Sequence, residues 1–250
     1  NAVFPWTFDS GIVAFFDHLA NAETLELDYL LTFTDRQGAS ATQNVVVTIT
    51  GTNDVPEWTS AAATLSLNEA DAPFAPQTGT LDARDLDTTD VVTASVHALA
   101  ISGSGDNPSR PSDAELLAMM GVTGEIPGTA TTGTFTWTFT PGSETFEYLA
   151  AGESLVLTYT LRLRDTWVTG SDPDSFDDVT VTITITGGND APSWHLVGDD
   201  TDAWTFDETN AGLQITGRTL TLRDPDLTDV VTVTRSSTVG VTGFTGGATD

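Results

Sequence analysis

The chain repeats itself at the spacing of a whole domain. Trp6 opens the stretch WTFDSG, and Trp137 opens WTFTPG 131 positions later. Three longer pairs recur at similar offsets: FDHLANAETLELDYLLTFTD with FEYLAAGESLVLTYTLRLRD, VVVTITGTNDVPEW with VTITITGGNDAPSW, and DARDLDTTDVVTAS with TLRDPDLTDVVTVT. Because solenoid repeats are only about 20–50 residues long, a unit of this length is expected to be a domain with its own core.

The order of the recurring stretches predicts three units. We expect residues 1–54 to be the C-terminal part of a first repeat, 55–190 a complete second repeat, and 191–250 the N-terminal part of a third. The chain starts in mid-pattern, which indicates a piece of something longer. Two arrangements of the partial repeats stay open. They are stretches of a longer chain, or they complete one another between neighbouring chains by strand complementation.

Each unit is predicted to be all-β. Apolar and polar residues alternate from Leu155 to Leu163 and from Val179 to Ile185, and the stretch TFTWTF at 134–139 places its three aromatic rings on one face. Strands with one apolar and one polar face are typical of antiparallel sheets that pack as a sandwich. The fold class is therefore predicted to be a tandem array of antiparallel β-sandwiches.

One segment departs from this pattern. Ser112 and Glu115 have the spacing of a helix capping box, and apolar residues follow up to Gly121. We expect one short helix here, inside an insertion from about 97 to 132, which covers a sheet edge or one end of the core.

The charge of the chain argues against two classes of partner. Eight arginines and no lysine face 36 Asp and Glu residues, for a net charge of −28. Such a chain repels nucleic acid and anionic membranes, and no apolar run is long enough for membrane insertion. The absence of cysteine excludes disulfides and thiolate metal sites.

Acidic residues concentrate where one unit passes into the next. In a sandwich with alternating strand directions, the loop after the second strand and the turn after the sixth lie at the end where the linker enters. The corner before the sixth strand of the preceding unit faces them. The candidates at this first joint are Glu23, Asn53, Asp54, Asp85, Asp87, Asp90 and Asp165.

The second joint repeats the arrangement. Glu69 ends the first strand of the complete unit and lies at the same end as its corner residue Glu153. The candidates at the second joint are Glu69, Glu153, Asn189, Asp190, Asp224, Asp226 and Asp229.

Oxygen donors without His or Cys favour Ca²⁺, which takes about 6–8 oxygen ligands. Carboxylates this close together otherwise repel one another. Asp and Asn are also ordinary turn residues, which is the alternative explanation for any one of them. The recurrence of the whole constellation at both joints favours calcium.

The motifs that carry these candidates resemble a known family. ITGTNDVP at 49–56, ITGGNDAP at 185–192, the LxxGES corner at Leu149–Ser154 and ARDLDTTD at 83–90 are similar to the VCBS/cadherin-like tandem repeats of large bacterial RTX-type adhesins, which are exported by type I secretion. The resemblance covers essentially the whole chain. It implies immunoglobulin- or cadherin-like sandwiches, Ca²⁺ at the linkers, and an extracellular location on a bacterial cell surface.

The resemblance implies a structural spacer, or stalk, that Ca²⁺ stiffens and that serves cell adhesion or biofilm formation. Its partners would be the neighbouring repeats of the same chain. An enzyme is the less favoured reading, because carboxylates and tryptophans recur as scaffold residues do and the three histidines do not. The alternative function is a sugar- or surface-binding module that uses the 97–132 insertion.

Overall fold

A computed structural model of the protein describes residues 3–11, 15–166, 176–198, 200 and 219–235. Within these residues the chain is built from strands and a single short α-helix. In chain order the elements are β1 (Thr24–Thr34), β2 (Ser40–Thr50), β3 (Glu57–Trp58), β4 (Ala63–Asn68), β5 (Gln77–Arg84), β6 (Val92–Ser102), α1 (Asp113–Ala118), β7 (Met120–Thr123), β8 (Glu125–Ile126), β9 (Thr132–Phe139), β10 (Ser154–Arg164), β11 (Phe176–Thr186), β12 (Ser193–Trp194) and β13 (Leu222–Arg223).

Strands β3 to β11 form a two-sheet structure that we call the central sandwich. One sheet has the order β3-β5-β9-β7, and the other has the order β4-β11-β10-β6-β8. All pairs are antiparallel except β4 and β11, which run parallel. The parallel pair arises because the chain changes sheets after Trp58, so that β3 pairs with β5 while β4 lies beside the last strand. The predicted β-sandwich fold is confirmed.

The alternating residues of β9, β10 and β11 build the core between the sheets. Leu155, Leu157, Tyr159, Leu161 and Leu163 are all fully buried, and the polar residues between them face outward. Burial of one such side chain stabilises a fold by about 1.5–3 kcal/mol. The period-2 pattern in the sequence is therefore the pattern of the core.

The predicted helix is present and closes one part of this core. Ser112 accepts a hydrogen bond from the Glu115 backbone N–H, and Glu115 accepts one from the Ser112 backbone N–H, as a capping box requires. Leu116 is fully buried, and its carbonyl accepts a hydrogen bond from the hydroxyl of Tyr159 at 2.7 Å. The helix thus packs on the core of the sandwich.

The predicted insertion at 97–132 is wrong in its extent. Strand β6 continues through His97 to Ser102, and β7 and β8 also lie within this range. The pairing of β6 with β10 shifts register at His97, because Thr160 lies opposite Ala98 whereas Leu161 lies opposite Val96. A bulge inserts one residue and breaks the period-2 alternation, so the pattern ends in mid-strand.

Two smaller pieces flank the central sandwich. Strands β1 and β2 form an antiparallel pair, which we call the N-terminal hairpin. Strands β12 and β13 form a second antiparallel pair, which we call the C-terminal ribbon. Each is connected to the central sandwich by one of the two Asn-Asp linkers.

Candidate metal centres

The first joint forms where the linker after β2 meets the loops of the central sandwich. Asp85, Asp87 and Asp90 lie between β5 and β6, and Asp165 directly follows β10. All four carboxylates are buried, which is unusual for charged groups without a cationic partner. The predicted convergence of the two loops and the linker is what the structure shows.

One oxygen of each of three carboxylates at the first joint is held by a hydrogen bond. Oδ1 of Asp85 accepts from the Asp87 backbone N–H at 3.0 Å, and Oδ2 of Asp87 accepts from the Asp54 backbone N–H at 2.8 Å. Oδ2 of Asp165 accepts from Nδ2 of Asn53 at 3.1 Å. Two of these three bonds join the linker to the central sandwich and orient the carboxylates.

The opposite oxygens of these groups are buried but accept no hydrogen bond from any residue that the structure describes. These atoms are Oδ1 of Asn53, Oδ2 of Asp85, Oδ1 of Asp87, Oδ2 of Asp90 and Oδ1 of Asp165. A buried oxygen without a partner costs about 1–3 kcal/mol, and more when it is charged. These five oxygens have the chemistry of Ca²⁺ ligands, which are oxygen atoms. Among the described residues, however, the carboxylates with oxygens all within 4.8 Å of one another are those of Glu69, Glu147 and Asp190 at the second joint.

The pKa values of the carboxylates at the first joint also indicate a site for a cation. Burial is the main cause that raises the pKa of Asp85 to about 7, and the nearby carboxylates of Asp87, Asp165 and Asp90 contribute to this increase. Burial is also the main cause that raises the pKa of Asp87 to about 6. The charged form of this cluster is therefore unfavourable unless a cation compensates it.

The second joint contains two of these three bonds at equivalent residues, together with one that Glu69 accepts. Oδ2 of Asp226 accepts from the Asp190 backbone N–H at 2.8 Å, as Asp87 accepts from Asp54. Oε2 of Glu69 accepts from the Gly188 backbone N–H at 2.7 Å. The remaining oxygens again accept no hydrogen bond from a described residue: they are Oε1 of Glu69, Oδ2 of Asp190 and Oδ1 of Asp226.

Glu69 is the central carboxylate of the second joint. It is buried at the end of β4. Burial is the main cause that raises its pKa to about 7, and the carboxylates of Asp190, Glu147 and Asp226 contribute to this increase. Asn68 caps the short 3₁₀ turn of Glu69–Asp71 by accepting from the Ala70 backbone N–H. The turn directs the chain away from β4 and leaves the Glu69 carboxylate in contact with the linker at Gly188.

One functional candidate was missed by sequence reasoning. Glu147, Glu69 and Asp190 each have a carboxylate oxygen within 4.8 Å of those of the other two. The counterpart of Glu147 in the first unit is Asp17. Burial raises the pKa of Asp54, and the charge of Asp17 contributes to this increase. The sequence does contain a signal for this residue. An acidic residue follows Phe in both FDHLA and FEYLA, a few positions before the predicted corner residues Glu23 and Glu153.

The predicted corner residues have a different main contact. Oε2 of Glu23 accepts from the Ala20 backbone N–H at 3.1 Å, and Oε2 of Glu153 accepts from the Ala150 backbone N–H at 3.1 Å. Both carboxylates thereby close their own turn. Glu23 is nevertheless near the first joint, because the pKa of Asp90 is raised by burial, by Asp165 and also by the charge of Glu23.

The outer candidates of the second joint are less enclosed. Asp224 accepts from the Asp226 backbone N–H at 3.1 Å, as Asp85 does from Asp87. Asn189 donates from Nδ2 to the Asp190 carbonyl at 3.2 Å, and Asp229 is exposed. The structure thus brings most of the two predicted sets to the linkers, but it places Glu153 on its own turn and Asp229 at the surface. The first joint is the more deeply buried of the two.

The loop after β6, which carried the alternative function, has its polar groups largely engaged with one another. Arg110 forms ion pairs with Asp106 and with Asp113, the latter at 2.8 Å. Arg110 also donates to the carbonyl of Pro111. The residues at 103–112 include no aromatic side chain that a sugar ring could stack on.

Comparisons with known proteins give structural resemblances only. No protein family and no curated protein matches the chain. Zebrafish RET cadherin-like domains 1 to 4 are 13% identical over 72% of this chain and 38% of that structure, with a TM-score of 0.34. Mouse clustered PcdhgC3 EC1-3 is 16% identical over 85% of this chain and 57% of that structure, with a TM-score of 0.31.

A bacterial structure shows a similar level of likeness. The CooA pilin subunit from enterotoxigenic Escherichia coli is 13% identical over 54% of this chain and 99% of that structure, with a TM-score of 0.34. At these values the likeness carries no functional conclusion. Among the residues that the structure describes, no helix is long and apolar enough to cross a membrane.

Proposed function

We propose that the chain is a spacer of a secreted bacterial adhesin, with joints that bind Ca²⁺ and become stiff when they do. The observation that carries this proposal is the set of buried, unpartnered oxygens that recurs at both joints. At the second joint Glu69 and Glu147 precede the linker and Asp226 follows it, so a cation bound there would tie two units together. At the first joint a cation would tie the linker residues Asn53 and Asp54 to the central sandwich. We also propose that the units are a partial repeat at 1–54, a complete repeat at 55–190 and a second partial repeat at 191–250.

The mechanical consequence follows from charge. Without a cation, the carboxylates at a joint repel one another, and interfaces between domains are ordinarily small and polar. With Ca²⁺ bound, the carboxylates of a joint share one divalent cation, and binding stabilises the folded, extended arrangement by mass action. The residues proposed to hold the ion are Asn53, Asp54, Asp85, Asp87, Asp90 and Asp165 at the first joint, and Glu69, Glu147, Asp190 and Asp226 at the second.

The proposed setting is extracellular. Extracellular calcium modules typically bind with dissociation constants of about 10⁻⁴–10⁻³ M, so they are loaded outside cells and empty inside. A flexible, calcium-free chain suits export, and a stiff chain suits a stalk that holds an adhesive part away from the cell. Type I secretion and a role in adhesion or biofilms rest on the motif resemblance.

Small-angle X-ray scattering of the chain during a Ca²⁺ titration, followed by EGTA, tests the proposal. We expect a reversible increase in maximum dimension near millimolar Ca²⁺. Asp165→Asn should reduce this response because Asp165 is buried at the first joint. Its matched control is Asp35→Asn, since Asp35 is the repeat counterpart of Asp165 but is exposed and caps its own turn.

Two results would contradict the proposal. An unchanged scattering profile on addition and removal of Ca²⁺ would mean that the joints are solvated turns. An equal loss of response in Asp165→Asn and Asp35→Asn would mean that the effect of Ca²⁺ is general screening of the negative charge.

A further inference from the structure

Strands β4 and β11 lie side by side at one edge of the central sandwich and run in the same direction. They pair from Ala63 opposite Val181 to Asn68 opposite Thr186. The other described pairs of the sandwich are antiparallel. The chain enters β4 from the first linker through β3 and leaves β11 into the second linker. These two strands therefore connect the sandwich to both of its joints.

A side-chain hydrogen bond extends this pairing at each end. At the end near the first joint, the backbone N–H of Trp58 donates to Oδ2 of Asp177 at 2.7 Å. At the end near the second joint, the backbone N–H of Gly188 donates to Oε2 of Glu69 at 2.7 Å. We call the two segments, from Trp58 to Glu69 and from Asp177 to Gly188, the clasp.

The two strands of the clasp are held unequally by the rest of the molecule. Strand β11 pairs with β10 along its whole length, and Val181, Ile183 and Ile185 are fully buried. Strand β4 is the edge strand of its sheet, and its inward-facing residues Leu65 and Leu67 are only partly buried. Strand β4 is therefore the one that moves first when the two are pulled apart.

Trp58 anchors the segment that precedes β4. Its ring is buried and packs edge-on against Phe135, with ring centroids 5.2 Å apart. The backbone N–H groups of Thr59 and Ser60 both donate to the carbonyl of Asp82 on β5. Tension that arrives through the first linker is therefore resisted at Trp58 before it reaches β4.

Tension along the chain acts on the clasp in shear. The first linker lies beside the start of β11, because Asn53 contacts Asp165 after β10, and the end of β10 lies opposite the start of β11. The second linker lies beside the other end, where Gly188 contacts Glu69. Tension between the linkers thus pulls β4 and β11 in opposite directions along their axes. The backbone hydrogen bonds that cross between the strands are then stretched together.

We propose that the clasp is the element that gives the central sandwich its resistance to tension along the chain. Bonds that are stretched together must break together, whereas bonds that are pulled from one end break one after another. Forced unfolding is governed by the unfolding rate and not by the equilibrium stability, so one short pair of strands can determine it. This inference goes beyond the proposed function, because it concerns one sandwich under force and does not depend on Ca²⁺ at the joints.

Single-molecule force spectroscopy of the full chain tests the proposal by changing only the direction of pulling. The chain has no cysteine, so pairs of introduced cysteines are unique attachment points. Val55→Cys with Ala191→Cys pulls on opposite ends of the clasp and shears it. Ala70→Cys with Ala191→Cys pulls on the same end of the clasp and peels β4 from β11. All three positions are exposed.

We expect a several-fold higher unfolding force for the shearing pair than for the peeling pair at the same pulling speed. Circular dichroism checks that the central sandwich is folded in both chains. The two directions are compared within one buffer, first in EGTA and then in Ca²⁺. The outcome is therefore separate from that of the scattering experiment on the joints.

Two neighbouring aspartates provide a matched pair of variants. Asp177→Ala removes the bond to Trp58 and should lower the shearing force, because the clasp then lacks its tie near the first joint. It should leave the peeling force unchanged, since peeling starts at the other end. Asp178→Ala removes the same charge but breaks an ion pair with Arg162 on β10, outside the clasp. It should leave both forces nearly unchanged.

Three outcomes would overturn the proposal. The first is an equal unfolding force in the two pulling directions, which would mean that the clasp does not resist the tension. The second is a shearing force that Asp177→Ala leaves unchanged. The third is an equal decrease of the shearing force in Asp177→Ala and Asp178→Ala, which would mean that the pairing of β10 with β11 determines the resistance.

Discussion

The N-terminal hairpin and the β10–β11 pair of the central sandwich have the same apolar pattern but differ in burial. Tyr29 and Tyr159 occupy equivalent positions, yet the first is exposed and the second is enclosed by β9 and the helix. The corner that precedes each pair is the same in both, down to the hydrogen bond from Ala20 to Glu23 and from Ala150 to Glu153. Local structure therefore follows local sequence, while burial depends on which other strands are present.

Truncation of the same apolar side chain in the two regions should give the largest difference. Leu161→Ala removes a fully buried side chain from the core and should lower the free energy of unfolding by about 2–5 kcal/mol. Leu31→Ala, at the equivalent position, should change it by less than about 1 kcal/mol because Leu31 is partly exposed. Chemical denaturation of dilute protein, followed by tryptophan fluorescence, measures both. A comparable loss in the two variants would show that the hairpin is packed in solution.

Substitution of the glycine close to each corner tests whether the two corners contribute equally to the free energy of unfolding. Any Cβ at Gly187 would overlap with the carbonyl oxygens of Leu149 and Ala150, and Gly51 meets Leu19 and Ala20 in the same way. Gly187→Ala should cost the central sandwich about 1–3 kcal/mol, because its corner is held by the core.

The equivalent change in the hairpin should have little effect on unfolding of the central sandwich. Gly51→Ala disturbs a corner that packs against few other elements. Thr186→Ala, at the exposed neighbour of Gly187, is the control for a small change at the end of β11. Equal losses for Gly51→Ala and Gly187→Ala would mean that the first joint couples the hairpin rigidly to the sandwich.

The buried carboxylates should make calcium-free stability fall as the pH rises. Burial raises the pKa of Glu69 and of Asp85 from ordinary values near 4 to about 7, so between these values the folded state binds more protons than the unfolded state. The free energy of unfolding therefore decreases from about pH 4 to about pH 7. Thermal unfolding in EGTA measures this slope.

Two variants sharpen the pH experiment. Asp85→Asn should flatten the slope, and Asp35→Asn is the control for removing a carboxylate from an exposed turn. Saturating Ca²⁺ should also remove the slope, since the cation stabilises the charged form. A slope that is identical in Asp85→Asn and in the unaltered chain would contradict the assignment.

The smallest expected effect is a difference in Ca²⁺ affinity between variants of Glu147 and Glu153, the two acidic residues near the second corner. Glu147→Gln should weaken Ca²⁺ binding at the second joint by about tenfold, a typical effect of altering a group around a metal. Glu153→Gln should leave the affinity nearly unchanged, because glutamine can still accept from the Ala150 backbone N–H. Isothermal titration calorimetry compares the two. A larger effect of Glu153→Gln would support the ligand predicted from sequence.

Much of this protein could be predicted from its sequence because the relevant signals are local. Period-2 alternation determines which face of β10 and β11 is buried, and the Ser112–Glu115 spacing determines the start of the helix. The repeated Asn-Asp linkers placed the two joints, since the direction of successive strands decides which loops share an end of the sandwich.

Only the tertiary structure decided the rest. The bulge at His97 extends β6 beyond the point where its alternation stops, because register depends on the partner strand β10. Glu147 reaches the second joint while Glu153 closes its own turn, a distinction that depends on side-chain direction within one corner. The exposure of Tyr29 against the burial of Tyr159 is the clearest case, because two nearly identical strands differ only in what packs on them.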